Sequence, residues 1–329
     1  MNRAIVLSKL AAGALSAAAL ALSLIVLGSG RLAASGQTGA PGAQQGAEPA
    51  TQAATDNAPA QGGYVGQETC LTCHETATVH GTAHGNARIP GTPAADKGCE
   101  SCHGPGQAHV EDDAKGHMLK FSQMPARQVS DTCLTCHNKT EHAMWESSGH
   151  AARSLGCVSC HSVHSAKSEQ RQLVKATQLE LCGTCHKPQV QKQLRSSHMP
   201  VREGKMTCTS CHNPHGSTNV RMLRVGNYIN ESCSSCHADK RGPFLWEHAA
   251  GREACSTCHD PHGSNNDRML VVRTPMLCQR CHIGTRHPST IYDGTALAQR
   301  SNRLVNRGCV SCHQQIHGSN HPSGNAFAR

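Results

Sequence analysis

The chain has 329 residues but only three Phe, three Tyr and two Trp beside 31 Gly, which excludes an ordinary globular core, because aromatic side chains dominate core burial. Its 20 Cys and 24 His are far above normal use. The formal charge of +9 raises nucleic acid or an anionic membrane as partners, but the cofactor chemistry argued below reverses that sign.

Residues 1–35 read as a signal peptide. Arg3 and Lys9 supply the positive start, residues 10–27 are almost wholly Ala, Leu, Ile and Val, and Ala33 and Ser35 are placed for cleavage after Ser35. The apolar run exceeds the ~7–15 residues of a cleaved signal, so an uncleaved anchor is the rival. No other stretch approaches the ~20 apolar residues of a spanning helix. Residues 36–62 form an Ala/Gly/Gln-rich segment that cannot bury enough surface to offset its ordering entropy, and read as a flexible linker. Residues 63–329 carry every Cys.

Those Cys fall in ten C-x-x-C-H motifs. Cys70 and Cys73 precede His74, Cys99 and Cys102 precede His103, and Cys133 and Cys136 precede His137. Cys157 and Cys160 precede His161, Cys182 and Cys185 precede His186, and Cys208 and Cys211 precede His212. Cys233 and Cys236 precede His237, and Cys255 and Cys258 precede His259. Cys278 and Cys281 precede His282, and Cys309 and Cys312 precede His313. No Cys is left for a disulfide. This is the attachment signature of c-type haem: two thiols bond the vinyl groups on one edge of the macrocycle, and the adjacent His binds iron axially. A thioredoxin-like pair gives one motif, usually without the His. Structural zinc does not demand a His after each pair. Ten covalently bound haem c groups are expected.

The motifs use ten His and leave fourteen. The chain repeats at two haems per unit, with units starting near Cys133, Cys182, Cys233 and Cys278. After the second motif of a unit a His follows closely: His164, His215, His262 and His317, with His109 a looser match in the first unit. His215, His262 and His317 are each followed by Gly-Ser. Arg-Met-Leu recurs at 221–223 and 268–270, and its Met read as packing. After the first motif stands a more distant His: His84, His150, His198, His248 and His287. These ten are the distal ligand candidates. His80 competes with His84, and His321 with His317; His117 and His142 are spare. A His only three residues after a proximal His cannot easily reach the opposite face of the same macrocycle. His164, His215 and His262 are therefore expected to serve a neighbouring haem.

Two His per iron imply low reduction potentials and leave no open position for substrate, so an electron carrier is expected and a multihaem reductase disfavoured. The 267 residues from 63 onward leave about 27 for each of ten haems, too few for separate cores. The expected fold is a multihaem cytochrome c: elongated, mostly irregular with short α-helices, built from about five two-haem repeats packed around porphyrin. Each haem adds two propionates against one ferric charge. Ten of them turn the +6 left without the leader negative, so no nucleic acid is expected.

With its ten motifs in this order, and the segments Lys-Arg-Gly-Pro-Phe-Leu-Trp-Glu-His at 240–248 and His-Gly-Ser-Asn-His-Pro-Ser-Gly at 317–324, the chain resembles the MtrA/DmsE-type periplasmic decahaem cytochromes from residue 66 to its end. The resemblance implies a periplasmic wire associated with the outer membrane and inserted into a β-barrel porin. Its implied partners are a periplasmic or inner-membrane cytochrome donor and a cell-surface multihaem cytochrome or terminal reductase. It also implies the distal set above, with His317 and His321 both present in the family pattern. The stretch 36–62 departs from that pattern.

Overall fold

A computed structural model describes residues 62–75, 79, 81–112, 115–168, 170–282 and 308–328. The chain divides into two units, Met1–Ala53 and Ala54–Arg329, and all described residues belong to the second. The expected signal peptide, all of the linker but Gly62, His80 and His287 lie outside them. Among the described residues no helix is long and apolar enough to cross a membrane.

Each C-x-x-C-H motif folds as one helical turn. In all ten the His N–H donates to the carbonyl of the first Cys at 2.8–3.1 Å. Positions i, i+3 and i+4 share a helix face, so this turn brings both thiols and the imidazole to one side. The first motif of each unit closes a short α-helix: Gln67–Leu71, Ala126–Leu134, Gln178–Gly183, Ile229–Ser234 and Met276–Gln279. The second motif opens a 3-10 turn at Cys157–Ser159, Cys208–Ser210, Cys255–Thr257 and Cys309–Ser311, and forms the helix Glu100–His103 in the first unit. Helices this short are not stable alone in water. Thr177 caps one of them by accepting from the Glu180 N–H at 3.1 Å.

A backbone clip follows three of the second motifs. Antiparallel bridges join His161 to Leu173, His212 to Leu223 and His259 to Leu270. The residue after each His donates its N–H to a carbonyl at 2.8 Å: Ser162 to Gln172, Asn213 to Met222 and Asp260 to Met269. The accepting residue and the Arg before it have positive φ in every clip: 63° and 49° at Arg171–Gln172, 55° at both Arg221 and Met222, 56° at both Arg268 and Met269. Arg-Met-Leu thus recurs for its consecutive left-handed residues, which turn the chain back. The same turn occurs with Gln at 171–173.

Successive units are clasped through the His-Gly-Ser segments. Ser264 pairs with Ser197 and Ser319 with Trp246 as isolated bridges. Gly216 and Gly263 have φ of 109° and 124°, and a Cβ there would lie 2.4 Å from the Met144 carbonyl oxygen and 2.2 Å from that of Lys192. Only Gly permits that approach. Lys192 and Asp260 form an ion pair at 2.6 Å, and Arg224 pairs with Glu141. Among the described residues only Val129, Trp145 and Leu173 are buried apolar side chains. So small a protein core fits a chain whose apolar mass comes from bound porphyrin.

Candidate haem-binding sites

The motif thiols follow one another in sequence order. Within units the first Cys of one motif is in electrostatic reach of the first Cys of the next: Cys70 and Cys99, Cys133 and Cys157, Cys182 and Cys208, Cys233 and Cys255, and Cys278 and Cys309. Between units the second Cys of one motif is in electrostatic reach of the second Cys of the next: Cys102 and Cys136, Cys160 and Cys185, Cys211 and Cys236, Cys258 and Cys281. Each motif therefore neighbours the next without interruption, and the attachment edge alternates between first and second Cys.

Eight motif His face a second imidazole. Ring centroids lie 6.4 Å apart for His74 and His109, 6.1 Å for His103 and His164, and 5.9 Å for His137 and His84. They lie 6.1 Å apart for His161 and His215, and 6.2 Å for His186 and His150 and for His212 and His262. The pairs His259 with His317 and His282 with His248 are also at 6.2 Å. A metal–nitrogen bond of about 2 Å and a ring radius of about 1 Å place two imidazoles on one metal about 6 Å apart, centre to centre. The residues present fit two axial ligands. No cluster of three or more His, Cys, Asp or Glu among the described residues would hold a free ion.

The ring nitrogens indicate which atom is left for iron. The five second-motif His direct Nδ1 at carbonyls: His103 to Leu119 at 2.9 Å, His161 to Arg171 at 2.6 Å, His212 to Arg221 at 3.0 Å, His259 to Arg268 at 2.8 Å, and His313 to Ala326. A carbonyl only accepts, so the proton sits on Nδ1 and Nε2 is bare for metal. The first-motif His are exposed, and the anchor moves to their partners. Nδ1 of His109 meets the Gly116 carbonyl at 2.8 Å, His150 that of Pro214 at 2.8 Å, and His248 that of Ile316 at 2.8 Å. Nδ1 of His84 meets Oε1 of Gln172 at 3.1 Å. Each of these pairs sets an anchored ring against one with no Nδ1 bond among the described residues. The buried Nδ1 of His215 likewise has no partner there.

Burial, the largest cause in each case, lowers the pKa of His84, His262 and His317, and pushes His215 down to about 4. Neutral imidazole is the ligating form. His198 is the exception. Its Nδ1 meets the Arg195 carbonyl at 2.7 Å, but its Nε2 lies 3.1 Å from Glu203, a bond that raises its pKa. Of the spare His, His117 pairs with Asp112 at 3.2 Å. His321 accepts the Ser323 N–H on Nδ1 at 3.1 Å, which puts its proton on Nε2, the wrong tautomer for binding there. His142 lies 5.6 Å from His137 and 4.2 Å from His215, centroid to centroid. The carbonyl anchors and Gln172 were not visible in the sequence, although Arg-x-Leu at 171–173 was available as a signal.

Comparisons with known proteins find haem cytochromes. The doubled CXXCH motif family matches residues 198–242 and 248–287, the NrfB-like cytochrome c-type family residues 99–185, and the cytochrome c554 and c-prime family residues 42–104. The chain is 42% identical over 292 residues to the multihaem cytochrome MtrA of Shewanella baltica, covering 84% of this chain and 86% of that one. It is 27% identical over 154 residues to the cytochrome c-type protein NrfB of Escherichia coli, covering 44% of this chain and 77% of that one.

Proposed function

The chain belongs to the MtrA family of multihaem cytochromes, and from that premise we propose that it holds ten bis-His haems in a file and passes electrons along them between periplasmic donors and an outer-membrane or extracellular redox partner. It is an electron carrier that binds haem c covalently through its C-x-x-C-H motifs. The haem supplies one-electron chemistry at iron. Two motif thiols would hold each haem through thioethers, and a motif His with its opposed His would take both positions on iron, leaving none for substrate.

The observation that carries this reading is the set of eight opposed imidazole pairs at 5.9–6.4 Å. In our assignment a first-motif iron takes its distal His from the preceding unit: His84 for His137, His150 for His186, His198 for His237 and His248 for His282. A second-motif iron takes its distal His from the following unit: His164 for His103, His215 for His161, His262 for His212 and His317 for His259. The terminal irons close within their own units, with His109 on His74 and His287 on His313. His142 stands five residues after His137, too short a tether to reach round the same macrocycle. Ligation therefore links each unit to its neighbours in both directions, and the unbroken motif order supports a continuous electron path.

Export by residues 1–35 and a position at the outer membrane belong to the same reading. That membrane is an insulating layer of about 40 Å with its headgroups, and irregular backbone cannot face lipid, so a file of haems needs a β-barrel porin around it. A second reading, a periplasmic carrier without a barrel, is favoured by the partial similarity to the shorter NrfB proteins. Affinity purification from solubilised outer membranes separates them. Co-purification of a β-barrel and a surface cytochrome is expected; clean recovery in the soluble periplasm would support the second reading. Intact mass of the mature protein should equal the polypeptide plus ten haems.

A further inference from the structure

The turn Arg171–Gln172 holds two imidazoles that belong, in the assignment above, to different irons. The Arg171 carbonyl accepts from Nδ1 of His161 at 2.6 Å, and Oε1 of Gln172 lies 3.1 Å from Nδ1 of His84. The orientation of the amide matters. Had its NH2 donated to Nδ1, the His84 proton would sit on Nε2, where it blocks a metal. With Oε1 accepting, Nε2 is bare. The amide Nε2 is buried and makes no hydrogen bond among the described residues, so Oε1 to His84 is the side chain's one polar contact there.

The position is particular to this unit. Met222 and Met269 stand where Gln172 stands, with the same left-handed backbone, and a thioether is a weak acceptor. In the following unit the distal His150 is held by a backbone carbonyl, that of Pro214. His84 comes from the first unit and has a side chain in that role. An acceptor on Nδ1 raises the basicity of the ligating nitrogen and favours ferric over ferrous iron, and such outer hydrogen bonds are a lever on haem potential.

We propose that Gln172 is a positioning residue for the iron bound by His137, holding His84 in its ligating tautomer and lowering the reduction potential of that haem alone. This rests on the pairing of His84 with His137. The test is a redox titration of the full decahaem protein followed by optical and EPR spectra, with carbon monoxide binding, in Gln172→Leu, Gln172→Glu and His84→Ala. In Gln172→Leu one midpoint among ten moves upward, equivalent to roughly three- to tenfold in that haem's reduction equilibrium, while all irons stay low-spin and bind no carbon monoxide. In Gln172→Glu, where a carboxylate is the stronger acceptor, the same midpoint moves downward. His84→Ala opens one iron to carbon monoxide; if every iron stays low-spin in that variant, the pairing is wrong. If His84→Ala opens an iron but both Gln172 variants leave all midpoints in place, or shift one in the same direction, His84 stands as a ligand and the role of Gln172 is overturned. Should Gln172→Leu fail to mature, Gln172→Glu carries the test alone.

Discussion

His161 and His215 face one another with ring centroids 6.1 Å apart and planes 20° from parallel, although they come from different two-haem units. His215 is half-buried, its Nδ1 has no partner among the described residues, and burial pushes its pKa to about 4. It therefore stays neutral, the form that binds metal, at neutral pH. His215→Ala should leave covalent haem at the wild-type count and open one iron per molecule. A single high-spin ferric signal and one carbon monoxide equivalent are expected. His215→Met should keep that iron six-coordinate and raise its potential. Absence of a new open site in the Ala variant would falsify the cross-unit pairing.

Gly263 and Gly216 let one unit press its backbone onto the preceding one. Gly263→Ala meets the Lys192 carbonyl oxygen at 2.2 Å and must adopt a φ of 124°, so backbone has to move. Overpacking of this kind costs about 1–3 kcal/mol, and the left-handed backbone adds to it. Thermal unfolding of the holoprotein should show the loss. Because His262 precedes Gly263 in the same clasp, the spectrum of the haem on His212 should change more than the others.

The haem sites were legible in the sequence to different depths. C-x-x-C-H is a contiguous code, because the chemistry demands two thiols and an imidazole on a single helical turn, so the candidate attachment and proximal residues are readable directly. The distal candidates could be chosen by repetition, and the short tether of His164, His215 and His262 argued against their own haem. Which neighbour each faces depends on how units dock, and no local pattern encodes that. The Nδ1 anchors were invisible because most are backbone carbonyls, which carry no residue signature. Arg-Met-Leu was visible as a repeat but suggested side-chain packing, since sequence shows Met and hides a positive φ.

That last point can be decided by substitution. If Met269 recurs for its backbone, Met269→Gly relieves a strained left-handed residue worth roughly 1–2 kcal/mol against a Gly entropy cost of about 0.5–1 kcal/mol. Stability should then stay level or rise by up to about 1.5 kcal/mol. A packing Met would instead lose about 2–5 kcal/mol. Denaturant unfolding of the wild type and variant distinguishes the two outcomes.

Glu100 lies between the two thiols of the second motif and is only 3% exposed. Its carboxylate accepts three backbone N–H groups: Val65 at 3.0 Å, Gly66 at 2.9 Å and Gly106 at 2.7 Å. Burial raises its pKa, but these donors outweigh burial and hold it below the usual glutamate value. A carboxyl depressed in the folded state stabilises above its unfolded pKa, and the contribution disappears as pH falls through the folded value. Glu100→Gln keeps the shape and removes the charge, so it should cost about 1–3 kcal/mol at neutral pH. The penalty should shrink in acid, as the wild type loses what the variant lacks. Unfolding midpoints of both proteins, compared from neutral pH to below the ordinary glutamate range, should converge. Parallel curves with a constant gap would show that the variant loses an acceptor oxygen and that the charge of Glu100 contributes nothing.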